Sequence, residues 1–223
     1  MDDTVEGQVV ELVRSENVQD GLANLAEAGI DQLLQEGFLR DVPILGSVVG
    51  VIRAAGAVRG LLLAKKLGRF LLSLQTVPQA ERQAFHDSLN TREERRKVGE
   101  GLLLLLDRLD DMEKPELVAR LFRALMRGTI DRKTFQLMAS AVDRLFMPHL
   151  DTLVSFYSSD SVDSSDGPAD RDVYQTLAFA GLVRVDARGD GGGLIGAEFA
   201  GATIHYEGNQ LGERFVRIIT SDA

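Results

Sequence analysis

The sequence predicts a mainly α-helical chain, a helical bundle domain followed by a small α+β tail of winged-helix-like order. Three observations carry that expectation. Apolar residues recur at helical spacing from Leu22 to Phe146. The stretch 158–172 (SSDSVDSSDGPADRD) is too polar to bury and interrupts the pattern. Beyond it the order helix, strand, glycine-rich turn, strand and end-piece is that of the second half of a winged helix. The expected boundaries are an α-helical domain at 1–157, an acidic Ser/Asp linker at 158–172 and a tail at 173–223.

Residues 4–14 read as a short helix through Val5, Val9, Leu12 and Val13. Residues 21–38 read as a stronger one, because Leu22, Leu25, Ala26, Gly29, Ile30, Leu33 and Leu34 form a single stripe that Phe38 extends. Pro43 either stops that helix or opens the next at its first turn. Ile44 to Leu74 reads as one or two helices, apolar nearly all round. A helix at 91–111, capped by Ser88 or Asn90, turns Val98, Leu102, Leu105, Leu106 and Leu109 inward. Lys114-Pro115-Glu116 is a helix start with proline at the first position and acid in the first turn. That helix buries Leu117, Leu121, Phe122 and Leu125 and ends at Arg127-Gly128, a glycine C-cap. Asp131 caps a last bundle helix with Phe135, Met138, Ala139, Val142, Leu145 and Phe146 inside, and Pro148 closes it. In the tail, Val173–Ala180 reads as a helix, Leu182–Val185 and Thr203–Tyr206 as strands, and Leu211–Ile219 as a helix or strand.

Composition excludes several chemistries. With no cysteine, disulfides, thiol catalysis and cysteine-ligated metals are ruled out. Three separated histidines (His86, His149, His205) leave little for a metal site, and neither a cofactor nor a metal is expected. A net charge of −9 disfavours general nucleic-acid binding. The Met1-Asp2-Asp3 start lacks the layout of a signal peptide, so the expectation is a cytoplasmic chain. The charge is unevenly placed. Residues 1–41 carry ten acids and two bases, whereas 42–80 carry five bases and no acid.

That cationic, apolar segment, 43–75, is the anomaly to explain. Its longest uncharged runs are eleven residues, short of the roughly 20 that span a bilayer as a helix. Arg59, Lys65, Lys66 and Arg69 fall on one arc of about 120° of a helical wheel, with Leu62 among them. Leu61, Leu63, Leu67, Phe70, Leu71 and Leu74 occupy most of the rest. A basic face beside a broad apolar one is the pattern of a helix lying in an anionic membrane interface, peripheral at the inner membrane. Gly46/Gly50 and Gly56/Gly60 are small-xxx-small pairs suited to close helix packing. The other reading is a central helical hairpin, buried by its neighbours, with its cations paired to the acidic first 41 residues.

Other motifs carry less. Gly189–Gly193 lacks a phosphate-loop ending and reads as a turn or wing. Asp160, Asp163 and Asp166 have the wrong spacing for a calcium loop. Residues 173–181 offer Gln175 and Thr176 but no base, so specific nucleic-acid recognition is not expected. No catalytic constellation emerges along the chain.

Several phrases together resemble a known group: AEAGIDQLL (26–34), DVPILGSVVGVIRAAG (41–56), KKLGRFLLSL (65–74), RLDDMEKPELVARLFRALMRGTID (108–131) and AVDRLF (141–146). They are similar to a widespread set of uncharacterised bacterial helical proteins and, more distantly, to the Abi-alpha abortive-infection proteins of phage defence. The ending YEGNQLGERFVRII (206–219) is similar to that group's leucine-glycine-x-x-phenylalanine terminus, with Gly208 and Asn209 departing from it. The resemblance implies a non-enzymatic bacterial defence or stress effector. Its segment 43–75, through Arg59, Leu63, Lys65, Lys66, Leu67, Arg69 and Phe70, would engage an anionic membrane surface or a protein partner, and a homo-oligomer is compatible with it. The alternative is a soluble regulator whose winged-helix-like tail contacts protein or DNA.

Overall fold

The computed structural model describes residues 57–158, 163–164, 168–188 and 203–221. The chain divides into two compact units, Met1–Phe135 and Gln136–Ala223. The described residues are mainly helical, with a small antiparallel sheet in the second unit. Helices expected at 4–14 and 21–38, Pro43, and Gly46, Gly50 and Gly56 lie outside the described residues.

In the first unit, α1 (Ala57–Leu74), α2 (Gln79–Ser88), α3 (Arg92–Arg108) and α4 (Lys114–Met126) surround an apolar centre, and α5 (Arg132–Arg144) starts there. Leu63, Leu67, Phe70, Leu71 and Leu74 of α1 are all buried, as are Leu117, Val118, Leu121 and Phe122 of α4. Phe122 is the hub. It meets Phe70, Phe85 and Phe135 edge-on at centroid distances of 5.5, 5.1 and 5.7 Å. Such T-shaped pairs set the positive ring edge of one against the negative face of the other, about 0.5–1.5 kcal/mol each beyond area burial. α1 and α4 run parallel. Arg69 faces Glu116 and, seven residues on in both segments, Thr76 accepts from Arg123.

Local signals stop and start these helices much as the sequence suggests. Even so, α3 ends at Arg108, α5 ends at Arg144 ahead of Pro148 with Phe146 57% exposed, and the cap of α3 is shifted. Thr91, and neither Ser88 nor Asn90, caps α3. Its Oγ1 accepts from the Glu94 N–H while Glu94 reaches back to the Thr91 N–H, a capping box. At Gly128 the backbone turns left-handed, φ 69°. The N–H groups of Gly128 and Thr129 then close onto the carbonyls of Leu125 and Ala124, a Schellman stop. Asp131 Oδ1 accepts from the Thr134 N–H at 2.7 Å and opens α5.

The second unit contains the rest of α5, a 3-10 turn (Met147–His149), α6 (Leu150–Ser158), β1 (Asp163–Ser164), α7 (Pro168–Phe179), β2 (Val183–Arg188), β3 (Thr203–Gly208) and α8 (Gln210–Thr220). Strand order is β1-β3-β2, antiparallel throughout, with Val185 opposite Tyr206 and Asp163 opposite Glu207. The end-piece is a helix. Gly181, φ 82°, ends α7 with the same Schellman pattern, Gly181 to Ala178 and Leu182 to Leu177.

This organisation differs from the expected one. The division falls inside α5, ahead of the expected boundary after residue 157, and the stretch 158–172 contains β1 and the start of α7. The physical reason lies in α6. The Tyr157 hydroxyl donates to the Leu182 carbonyl at 2.5 Å and accepts from the Asn209 N–H at 2.9 Å. Asn209 caps α8 through the Gly212 N–H and donates its Nδ2 to the Gly181 carbonyl. α6 therefore belongs with the tail. Burial raises the Tyr157 hydroxyl above its ordinary pKa, so it stays protonated and able to donate. Gly212 has no alternative here. A Cβ at that position would overlap the Leu182 carbonyl and the Tyr157 ring.

Candidate functional site

Arg59, Lys66 and Arg69 lie on one arc of α1 and each meets an acceptor within the protein, with Lys66 buried and the side chains of Arg59 and Arg69 71% and 46% exposed. The Arg59 guanidinium makes a two-pronged ion pair with the Asp107 carboxylate. Lys66 is 9% exposed, and its ammonium donates to the carbonyls of Asp107 and Leu109. Arg69 donates to the Met112 carbonyl at 2.9 Å and lies 3.7 Å from Glu116. Lys65 is half-buried and Gly60 lies within α1. The acceptors all belong to one stretch, from the end of α3 to the first turn of α4.

The chemistry of that stretch explains the match. The last carbonyls of a helix have no intrahelical donors and carry the negative end of its dipole. Lys66 supplies a cation and N–H groups to those of α3, so a residue of α1 completes a different helix. Beside Arg59, Asp107 is held below the usual carboxylate range, and Asp110 is held down by the Lys114 ammonium at 2.5 Å. Lys114 is itself 1% exposed, ammonium included, and its buried charge is paired with the carboxylate of Asp110, which is 74% exposed.

The apolar members of the predicted membrane face are spent as well. Leu63, Leu67 and Phe70 are between 0 and 6% exposed, in the centre of the first unit. Fully burying one such side chain is worth about 1.5–3 kcal/mol. Exposing these three with Leu71 and Leu74 would therefore cost on the order of 10 kcal/mol, comparable to the whole stability of a domain. Of the leucines described on the arc, Leu62 is 45% exposed. Among the described residues these cations meet Asp107, Glu116 and backbone carbonyls, and the pairing expected with the acidic first 41 residues lies outside the described residues.

No described helix is long and apolar enough to cross a membrane. Among the described residues there is no group of three or more metal-ligating side chains. His149 Nδ1 lies 2.6 Å from Thr176 Oγ1. Thr176 Oγ1 also lies 2.7 Å from the Val173 carbonyl oxygen. It is thus within hydrogen-bond distance of both the His149 ring and the Val173 carbonyl, and the histidine tautomer sets which atom donates in the pair. His86 sits beside exposed Asp87.

Reading α4 only for its buried face passes over its outer one. Arg120, Arg123 and Arg127 follow one another at i, i+3 and i+7, with no acid in α4 after Glu116. Arg123 donates to Thr76 Oγ1 at 3.0 Å, and Arg127 Nε to Glu81 at 2.7 Å. The run RLFRALMR was the available signal. Elsewhere, Phe179, Val185 and Ile204 of the second unit are large apolar side chains at 73, 49 and 41% exposure. No protein-family model, curated protein or solved structure matches this chain.

Proposed function

We propose that this chain is a non-enzymatic bacterial defence or stress effector that acts as a folded body, by contact with a protein partner. The observation that carries the reading is the place of α1. Its apolar side is core and Lys66 is engaged by the end of α3, so burying that apolar side in a membrane would require the first unit to unfold. The defence setting comes from the resemblance to the Abi-alpha proteins.

Two measurements test it. Co-sedimentation with vesicles of graded anionic content should show no affinity that depends on α1. A vesicle affinity lost in a folded Lys65→Gln/Arg69→Gln variant would reinstate the membrane surface as the partner. Expression in a bacterial host should lower the plating efficiency of challenging phages, and unchanged plating across a phage panel would remove the defence setting.

A second reading, the regulator with a contacting tail, is favoured by the exposure of Phe179, Val185 and Ile204. These side chains suit a protein surface rather than DNA, since Phe179 ends α7 where a reading helix needs bases or polar groups. Sequence-selective duplex binding at physiological salt would overturn this form of the reading.

A further inference from the structure

We propose that β2 is a dimerisation edge, along which a second copy of this chain lays its own β2 antiparallel to make one continuous sheet. The inference rests on the reading of the tail as a contact surface and names the chain itself as the partner there.

The edge comes first. In the order β1-β3-β2, strand β3 has neighbours on both sides and β2 stands at the end. Among the described residues, β2 pairs with β3 alone. An edge strand is a template for another strand, and natural edges are blunted by proline, bulges or very short length. β2 is a six-residue strand, VRVDAR, without proline, and its register with β3 runs from end to end without a bulge.

The apolar face comes second. Side chains alternate along a strand, so Val185 shares a face with Tyr206 opposite it and with Ile204 on β3. Part of that face is covered. Val183 and Tyr206 are buried, and the Tyr174 ring of α7 stacks on Tyr206. Val185 and Ile204 belong to the same face and are exposed. A second β2 centred on the same residue sets Val185 beside its own counterpart, close enough for the two side chains to pack. The exposed valine and isoleucine of both copies then form one apolar band across the joined sheet.

Charge decides which strand fits. Antiparallel pairing centred on Val185 brings Arg184 opposite Asp186 of the second copy, and Asp186 opposite its Arg184. A twofold contact requires this reciprocity, residue i meeting j and j meeting i. Opposite charges directly across two strands stabilise the pairing, and like charges oppose it. Neither residue has to be without contacts in its own chain. Arg184 serves Glu207 through one terminal nitrogen and stays largely exposed, and a guanidinium has further N–H donors just as a carboxylate accepts several. Arg-Val-Asp is its own complement when read backwards. An unrelated strand would have to supply that order, whereas a second copy carries it.

The test follows the full chain by sedimentation velocity across a range of protein concentrations. The expected result is a monomer–dimer equilibrium that Val185→Lys weakens by about tenfold or more, since it sets two ammonium groups against each other at the axis. Leu104→Lys, the same change at an exposed leucine of α3, should leave the equilibrium as it is. Arg184→Asp and Asp186→Arg should each weaken it, by placing like charges across the edge. Mixed together, these two variants should recover a dimer, because each then meets the opposite charge at both positions. Circular dichroism checks that every variant is folded, and the two lysine changes carry the test if a charge variant is not. A monomer at every concentration, a dimer indifferent to Val185→Lys, or a mixture of folded charge variants that stays monomeric would overturn the proposal. The first of these outcomes leaves contact of the tail with other proteins standing, so the two readings fail separately.

Discussion

The two units solve the problem of joining helices in different ways. The first is centred on an aromatic ring. Phe122 touches rings from α1, α2 and α5, and the charged groups Arg59, Lys66 and Arg69 work at its border. The second has buried apolar residues too, Leu153, Leu177, Tyr206 and Phe215 among them, but a polar wedge joins its elements. There one tyrosine hydroxyl and one asparagine side chain tie α6, the end of α7 and the start of α8 together. An apolar centre is non-directional and tolerates repacking, whereas a hydrogen-bonded wedge works only in one geometry. The first unit should therefore yield gradually to volume changes and the second abruptly to small ones.

The largest expected effect is Phe122→Ala, about 3–5 kcal/mol of stability in denaturant titration, with Phe122→Leu costing clearly less. Hydrogen exchange should place the loss in residues 57–135. Equal weakening of residues 136–223 would break the contrast between the units.

Next is Gly212→Ala. The added Cβ meets backbone and a tyrosine ring, so relief requires α8 to shift, at a cost of about 1–3 kcal/mol for one methyl group. A neutral result by thermal melting would show the wedge to be compliant.

Two charge and hydroxyl removals follow. Lys66→Met keeps the stem but leaves two carbonyls at the end of α3 without their donor, a loss of about 1–3 kcal/mol. Tyr157→Phe deletes the hydroxyl and leaves the Leu182 carbonyl and Asn209 N–H unpaired, with a loss in the same range. If the second is neutral, water replaces the hydroxyl and the wedge is weaker than its geometry implies.

The smallest effect is the acid dependence of the first unit. Asp107 and Asp110 are held below the ordinary carboxylate range when folded, so their contribution is complete above the unfolded value of about 3.9. It is lost as pH falls below that through the lowered folded values, because protonation favours the unfolded chain. Asp107→Asn should flatten that acid limb in a titration followed by circular dichroism. An unchanged limb would mean that the pair with Arg59 adds nothing to stability, as many exposed pairs do.

Much of the helical architecture was legible because its signals are local. Lys114-Pro115, Gly128 and Asp131 act on their own backbone, and the buried stripe of α4 follows from spacing alone. α2 leaves no stripe to read, because of its ten residues only Arg82 and Phe85 are buried. β1 was unreadable for a related reason. Its two residues lie in a Ser/Asp stretch, and β3, about forty residues later, is what makes them a strand.

The sequence by itself determined which side chains of α1 share a face. Arg59, Lys66 and Arg69 do lie on one arc, and Leu63, Leu67 and Phe70 on another. Only the tertiary structure decided what each face meets. Periodicity is a property of one helix, fixed by 100° per residue, and it is the same whether the neighbour is lipid, water or protein. The neighbour here is a turn more than forty residues away, whose free carbonyls and carboxylates suit a cationic arc as well as an anionic membrane would. Charge pattern alone cannot separate partners that present the same sign and the same acceptors.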